Sequence, residues 1–436
     1  LLDNDLRYIL SCVVNLINGG ILMKKLLIIM TLALVLFGCG LSDNSNKSDL
    51  PKDFNRLDVD SDFNWSNTRM INVTIIGNAT DLEGRRVRLM NGDTVISSAI
   101  IHSGQYDFIL TVPGEMNSLN VVCDDLNFSQ TITPGNQTVV ITGTPNVKGN
   151  RLDSDGDGVD DADDDFPGDP DKATLLRIPF DREDYWVFED LWPDEGDYDF
   201  NDLVIREYVE LHLNAANDFV GGRAKLWLNA IGANFHNSIF IHFMEASLVG
   251  GQIVYNELPD PAFVESIETS LTNIRIDEFA PNTIGAWYDI EWEEFGYQNN
   301  GIGPQDFPHS REFNFNFDQT AVQPGNITFE WYISSGYSRG REVHLPTFAP
   351  SIAADPAYFD TGDDATNIGT GFYYKTALNH PWVIKVWGRF NNPLEYVQIT
   401  EAYPLFQDWA ESNGSLHPDW YNTYIDEKVF DQYSAK

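Results

Sequence analysis

LVIREYVELHL, residues 203–213, alternates apolar and polar side chains over most of its length, and this two-residue period decides how the fold is read. Successive side chains of a strand point to opposite faces, so such a run is suited to burying one face. The period recurs at Lys225–Ile231 and over residues 326–333, where Ile327, Phe329, Trp331 and Ile333 share a face. Upstream, shorter runs at Arg86–Leu89, Tyr106–Val112, Leu119–Val122 and Thr138–Ile141 carry the same signal. Turn pairs separate them: Asn91-Gly92, Ser103-Gly104, Pro113-Gly114 and Pro134-Gly135. One stretch reads as helix, Tyr403–Asn413, with Pro404 near its start and Gly414 past its end.

The chain is therefore expected to be mainly β. A small N-terminal β-sandwich spans residues 66–146, an Asp-rich linker 147–176, and a large β-sandwich-like domain with few helices 177–436. Ten of the eleven tryptophans follow residue 180, which places the heavier core in the C-terminal part.

The N-terminal end reads as an export signal. From Met23 the chain runs MKKLLIIMTLALVLFGCG: two lysines, an apolar run from Leu26 to Phe37, then Gly38 and Cys39. That run is about a dozen residues, whereas a bilayer-spanning helix needs roughly 20. Leu36-Phe37-Gly38-Cys39 resembles the bacterial lipobox, which implies a signal peptide over 23–38 and a lipid on Cys39. Residues 1–22 precede the signal and read as translated upstream sequence; residues 39–65, polar on average, read as a flexible tether. Of the three cysteines, Cys12 precedes the signal and Cys39 is assigned to the lipid, so Cys123 has no partner for a disulfide. No disulfide-linked oligomer is expected.

Charge narrows the partners. Without Asp3, Asp5, Arg7, Lys24 and Lys25 the chain keeps 64 Asp and Glu against 24 Lys and Arg. Nucleic acid and anionic membrane surfaces are poor partners for such a chain, so the membrane is met through the lipid anchor alone. Dense Asp clusters repel unless a cation lies among them.

Two clusters have the spacing of a calcium site. Asp153, Asp155, Asp157, Asp161 and Asp164 occupy positions one, three, five, nine and twelve of a loop with Gly158 at position six, the EF-hand pattern, in which Val159 at position seven offers its carbonyl. Asp165, Asp169 and Asp171 are placed to extend the coordination. The flanks show no long helices, and the segment resembles a thrombospondin type 3 repeat, which implies calcium wrapped in a linker. The second cluster lies in WVFEDLWPDEGDYDFND, residues 186–202. Asp197, Asp199 and Asn201 repeat the alternate-oxygen spacing, Asp202 is adjacent, and Glu189 and Asp190 lie across a Pro-Asp-Glu-Gly turn. A hairpin-like calcium site fits these residues; carboxylates capping backbone amides is the competing structural reading.

FEDLWPDEGDYDFNDLVI, residues 188–205, resembles the signature of the LruC domain family of bacterial outer-membrane lipoproteins. Further stretches agree in order: 230–237, 339–346, 373–376 with Pro381-Trp382, and 402–421. The resemblance covers about residues 177–430. It implies a surface or outer-membrane lipoprotein with a β-rich domain, and it supplies no catalytic residues. Ser238 follows Asn237 where the family more often has Gly.

No motif makes a convincing catalytic site. Gly336-Tyr337-Ser338-Arg339-Gly340 matches G-x-S-x-G, but a nucleophile elbow must open a helix and the residues that follow are extended and end at Pro346. His236, His242, His344 and His380 have no zinc spacing. Arg341, Glu342 and His344 are placed for a polar cluster or a buried ion pair. The expectation is a calcium-binding outer-membrane or surface lipoprotein that acts as a binding, adhesion or structural module, with a glycan or surface protein as ligand. The alternative is a surface-anchored glycan-active hydrolase, marked by a deep cleft with Trp or Tyr and two carboxylates.

Overall fold

The alternating run at 203–213 is one strand, β10 (Leu203–Leu213), in the interior of a seven-stranded sheet. The computed structural model describes residues 53–143, 152–232, 235–290 and 309–430. The signal-like stretch, Cys39 and residues 39–52 of the expected tether lie outside these. No described helix is long and apolar enough to cross a membrane.

β10 pairs antiparallel with β11 (Phe219–Ile231) on one side and with β8 (Thr174–Ile178) and β9 (Asp184–Phe188) on the other. Beyond β11 lie β17 (His309–Phe317) and β14 (Val264–Glu268), and β20 (Val383–Trp387) pairs with β9. A six-stranded sheet contains β12 (Asn237–Val249), β13 (Gln252–Glu257), β15 (Arg275–Ile276), β16 (Thr283–Ile290), β18 (Ile327–Ser335) and β19 (Glu342–Val343). Leu203, Ile205, Val209 and Leu211 of β10 share one core with Ile239 and Ile241 of β12 and with Phe329, Trp331 and Ile333 of β18. The fold is mainly β with few helices, as the two-residue period implies.

β18 departs from a simple one-sided strand. Its apolar face is buried as expected, but Glu330 and Tyr332 on the other face are fully buried too. Glu330 meets the His344 ring at Nδ1 (3.1 Å), and Tyr332 stacks on that ring with centroids 4.1 Å apart. A polar residue on the second face of a strand reads as solvent-facing unless its partner, here far along the chain, is known.

The smaller β assembly holds β1 (Thr68–Gly77) between β4 (Gln105–Pro113) and β7 (Gln137–Ile141), with β7 running parallel to β1. Its other sheet orders β3 (Thr94–Ile101), β2 (Arg85–Asn91), β5 (Leu119–Cys123) and β6 (Phe128–Ile132). Ile71, Val73, Val87, Leu89 and Phe108 form its core, and Phe180 and Trp387 enter that core from the C-terminal part.

Two expectations are corrected. The tether does not stay free to residue 65: Phe54, Leu57, Val59, Phe63 and Trp65 are all buried. Phe54 stacks on Tyr198 (centroids 4.1 Å) and Phe63 packs edge-on against Trp409 (4.8 Å). The polar average of the stretch concealed these spaced apolar side chains, each a substantial hydrophobic gain when buried. The helix read over Tyr403–Asn413 is shorter: α1 (Ala79–Leu82) lies in the small assembly, and α2 (Ile399–Ala402) and α3 (Phe406–Glu411) are separated at Tyr403-Pro404-Leu405. Pro404 lacks the amide hydrogen that a continuous helix needs there.

Candidate metal centres

The linker loop is built by its own short-range hydrogen bonds. Asp153 accepts from the Gly156 N–H (2.7 Å) and the Gly158 N–H (3.2 Å), Asp155 from Asp157 N–H (3.3 Å), and Asp157 from Val159 N–H (2.7 Å). Gly156 and Gly158 hold φ of +84° and +97°, a region that costs a side chain but not glycine. The winding brings one oxygen each of Asp153, Asp155 and Asp157 within 4.8 Å of one another. Asp155 Oδ2, Asp157 Oδ2 and Asp164 Oδ2 are cut off from solvent and have no hydrogen-bond partner. Burial, then the carboxylates of Asp157 and Asp155, push the Asp164 carboxyl above its ordinary range; burial, then Asp155 and Asp153, raise Asp157.

The other residues read from this loop lie around that group. Asp161 turns both oxygens to Ser154, accepting from its N–H and its hydroxyl (2.7 Å each), and is not in the converging group. The Val159 side chain is buried with Ile100 and Ala173. Asp165 pairs with Arg86 (2.6 Å), and Asp169 pairs with Lys172 (2.8 Å). A cationic side chain thus already meets each of these two.

The second cluster is assembled by the fold. Glu189 follows β9, and Asp197, Asp199 and Asp202 lie on the connection into β10, so strand pairing brings the two segments together. One oxygen each of Glu189, Asp197 and Asp199 lies within 4.8 Å of the others. Glu189 is fully buried: its Oε1 accepts from Phe200 N–H (2.7 Å), and its Oε2 has no partner and no solvent contact. Asp199 accepts from Asn201 N–H (3.1 Å) and from Tyr396 N–H (2.9 Å). Gly196 is the residue that admits Glu189, since a Cβ built on it would lie 1.8 Å from Glu189 Oε2. Tyr198 and Phe200 alternate with the acids, hold positive φ, and point into the core beside Phe54.

Asp190, Asp202 and Asn201 stand around this triad. Asp202 accepts from Asp190 N–H (2.9 Å), Asp190 accepts from the Asn237 side chain (2.8 Å), and Asn201 donates to the Pro393 carbonyl (3.1 Å). Arg341 donates to the carbonyls of Leu191 and Trp192. Some carboxylates here do cap amides, as the structural reading supposed, yet Glu189 Oε2 and Asp190 Oδ1 are left over. Sequence reasoning missed Gly196, Asn237 and Glu395; the last two lie far from the motif and carry no spacing signal.

Electrostatics set this cluster apart. Among the described residues no Lys or Arg forms an ion pair with Glu189, Asp197, Asp199 or Asp202. Burial and the charges of Asp202, Asp199 and Asp197 hold Glu189 well above the ordinary carboxylate range. Burial, Asp197 and Glu395 push Asp199 up to about 9, and burial with Glu395 raises Asp197. Asp202 is raised well above its usual range by burial and by Asp190, and Asp190 rises to about 6 by burial. Unpaired buried charge of this kind costs several kcal/mol per ion unless a proton or a cation relieves it.

The remaining candidates fall elsewhere. Gly336–Gly340 forms the turn from β18 into β19, so a strand and not a helix follows Ser338. His344 lies between Glu330 (3.1 Å) and Glu342 (2.9 Å), and His242 between Glu257 (3.2 Å) and Glu330 (3.6 Å). His236 meets the Tyr337 hydroxyl, and His380 faces the Leu57 carbonyl (3.3 Å). A polar cleft of about 580 Å³ is lined by Asn64, Arg69, Glu115, Trp409, Asn413 and Asp419 among others. Burial and then the Asp419 charge raise the Glu115 carboxyl, against hydrogen bonds that lower it.

Residues 217–421 match a family described as a domain of unknown function (DUF4842). The acids of both clusters up to Asp202 precede that match, and Glu395 falls inside it. No curated protein matches the chain. Among solved structures, a crystal structure named "Putative lipoprotein from Bacteroides ovatus" aligns with a TM-score of 0.44 and 16% identity, over 79% of this chain and 93% of that one.

Proposed function

We propose that the chain is an exported lipoprotein, anchored through Cys39 at the outer membrane or cell surface, whose β-rich body is stabilised by calcium and acts as a binding, adhesion or structural module. The observation that carries the calcium reading is Glu189 Oε2. It is a fully buried oxygen without a hydrogen-bond partner, on a carboxylate that converges with those of Asp197 and Asp199 where no described cationic side chain meets them. Water does not reach it, whereas a small cation would bind between the three carboxylates. Hard oxygen donors in an irregular arrangement suit calcium better than magnesium, which demands near-octahedral geometry. The loop at 153–164 supports a second ion by the same logic, with Asp164 Oδ2 in the role of the leftover oxygen. Its resemblance to a thrombospondin type 3 repeat points the same way, and that of residues 177–430 to the LruC domain supports the lipoprotein reading.

Calcium titration of the mature protein by calorimetry, with thermal melts in calcium and in chelator, tests the reading. Heat of binding and a melting temperature raised by calcium are expected, because a ligand that binds only the folded state stabilises it; no heat and unchanged melts would overturn it. Metabolic labelling with a lipid precursor, lost on Cys39→Ser, tests the anchor.

The cleft beside Trp409 favours a second reading, a glycan-active hydrolase using Glu115 and Asp419. Trp409 is fully buried, so it offers no exposed ring for sugar stacking. Turnover of an oligosaccharide that disappears in Glu115→Gln, without loss of the fold, would establish that reading over the first.

A further inference from the structure

Lys385, Asp184 and Glu207 bury three ionisable groups side by side in the seven-stranded sheet. There β9 lies between β20 and β10, and the register sets Lys385 opposite Trp186, Trp387 opposite Asp184, and Asp184 opposite Glu207. Residues directly opposite one another on a face have neighbouring side chains, and the diagonal is within reach of a long one. That diagonal brings Lys385 Nζ to 3.0 Å from Asp184 Oδ2, over the Trp186 ring. Glu207 Oε1 accepts from the Trp186 indole N–H (3.2 Å). Asp184 and Glu207 are fully buried, and Lys385 is nearly so. Neither oxygen of Asp184, nor Glu207 Oε2, reaches solvent or has an aligned hydrogen-bond donor. A buried ion pair is favourable only when its remaining lone pairs are satisfied; here they are open, and a second carboxyl is added. Burial and then the Asp184 charge raise Glu207 to about 8, and burial raises Asp184 against the pull of Lys385. One amine and two carboxyls thus share two protons at neutral pH, with no net charge.

We propose that Lys385 Nζ and Asp184 Cγ become joined by an amide bond, with Glu207 as the acid–base group, so that β20 is covalently fastened to β9. The ammonium first passes a proton to Asp184, leaving a neutral amine and a carboxylic acid. The amine nitrogen attacks Cγ and a C–N bond forms, while Glu207 gives its proton to the carbonyl oxygen and recovers one from the nitrogen. One C–O bond then breaks. Its oxygen leaves as water with a proton from Glu207, which takes back the proton of the remaining hydroxyl and ends as it began. No oxidant or cofactor enters. A cavity of about 50 Å³, lined by Trp186 and Lys385 among others, is large enough to take the water. The Lys385 backbone also holds the start of the folded chain: its N–H donates to the Trp65 carbonyl (3.1 Å), and its carbonyl accepts from Asn67 N–H (3.3 Å). Cys123 is the one cysteine among the described residues, so the amide supplies a covalent tie that a disulfide cannot.

The test is peptide mapping of the denatured mature protein by mass spectrometry. A branched peptide that joins the segment with Asp184 to the segment with Lys385, lighter by one water than its two parts together, is expected. It should vanish in Lys385→Arg. Glu207→Gln keeps both reacting groups and a side chain of the same shape; it should fold, by circular dichroism, yet remain unlinked when freshly made, because an acid–base group is worth about a hundredfold or more in rate. Wild type that yields Asp184 and Lys385 only in separate, unmodified linear peptides overturns the bond. A Glu207→Gln protein that links as fast as wild type overturns the role of Glu207.

Discussion

The two acidic regions, Asp153–Asp164 and Glu189–Asp202, carry similar residues and are made in opposite ways. The first is wound locally: the carboxylates of Asp153, Asp155, Asp157 and Asp161 accept from residues at most seven apart, and its glycines supply the turns. The second exists only because β9 and β10 pair, Gly196 leaves room for Glu189, and Tyr396 comes from far downstream to meet Asp199. A locally wound site can be read from spacing alone. A site assembled by tertiary structure is more deeply buried, has stronger carboxylate repulsion, and depends more on its surroundings.

That dependence gives the largest expected effect. Phe54 is buried against Tyr198 and Phe200, inside the second cluster's own loop. Phe54→Ala should cost about 3–5 kcal/mol, the usual range for such a truncation, and should weaken calcium binding at the second cluster but not at 153–164. Denaturant melts and calorimetry check both parts; equal loss at the two sites would erase the distinction. Next, Gly196→Ala removes no ligand and no charge, yet its Cβ would displace Glu189 Oε2. An overpacking cost of about 1–3 kcal/mol and the loss of one bound ion are expected, with stoichiometry by native mass spectrometry as the check. Paired substitutions should then separate the sites: Asp197→Ala with Asp199→Ala removes one ion, and Asp155→Ala with Asp157→Ala removes the other. If neither pair changes the count, the ligand assignments are wrong.

The smallest effect is in pH. Asp199 is pushed to about 9 when no ion is present, so the folded state holds more protons than the unfolded chain between the ordinary carboxylate range and about pH 9. Stability of the ion-free protein should therefore fall as pH rises through that window, and calcium should remove most of the slope. His344 and His242 slope the same way for a different reason. Burial opposes their charge, but Glu330 and Glu342 around His344, and Glu257 and Glu330 around His242, win and raise each to about 9. Their contribution is complete below the ordinary histidine value and is lost as pH rises through about 9, with or without calcium. The difference between melts in calcium and in chelator isolates the cluster; identical slopes would break the comparison.

Legibility in the sequence followed the same division. β10 and the apolar face of β18 are visible in the two-residue period because neighbouring residues alone set it. The carboxylates of both clusters are visible as spacing. What stayed hidden depends on residues distant in sequence: the buried face of β18 needs His344, and the packing of Phe54 and Trp65 needs Tyr198, Phe406 and Trp409. Asp161 shows the limit even for the local loop, since its position in the pattern is that of a ligand while Ser154 occupies both its oxygens.

The decisive measurement is an anomalous difference map from crystals of the mature protein grown in calcium. A peak about 2.3–2.6 Å from Glu189 Oε2, with Asp197 and Asp199 among its ligands, is the predicted result. A map with no peak there, at calcium concentrations that fill the loop at 153–164, would contradict it and leave the buried carboxyls neutralised by protons.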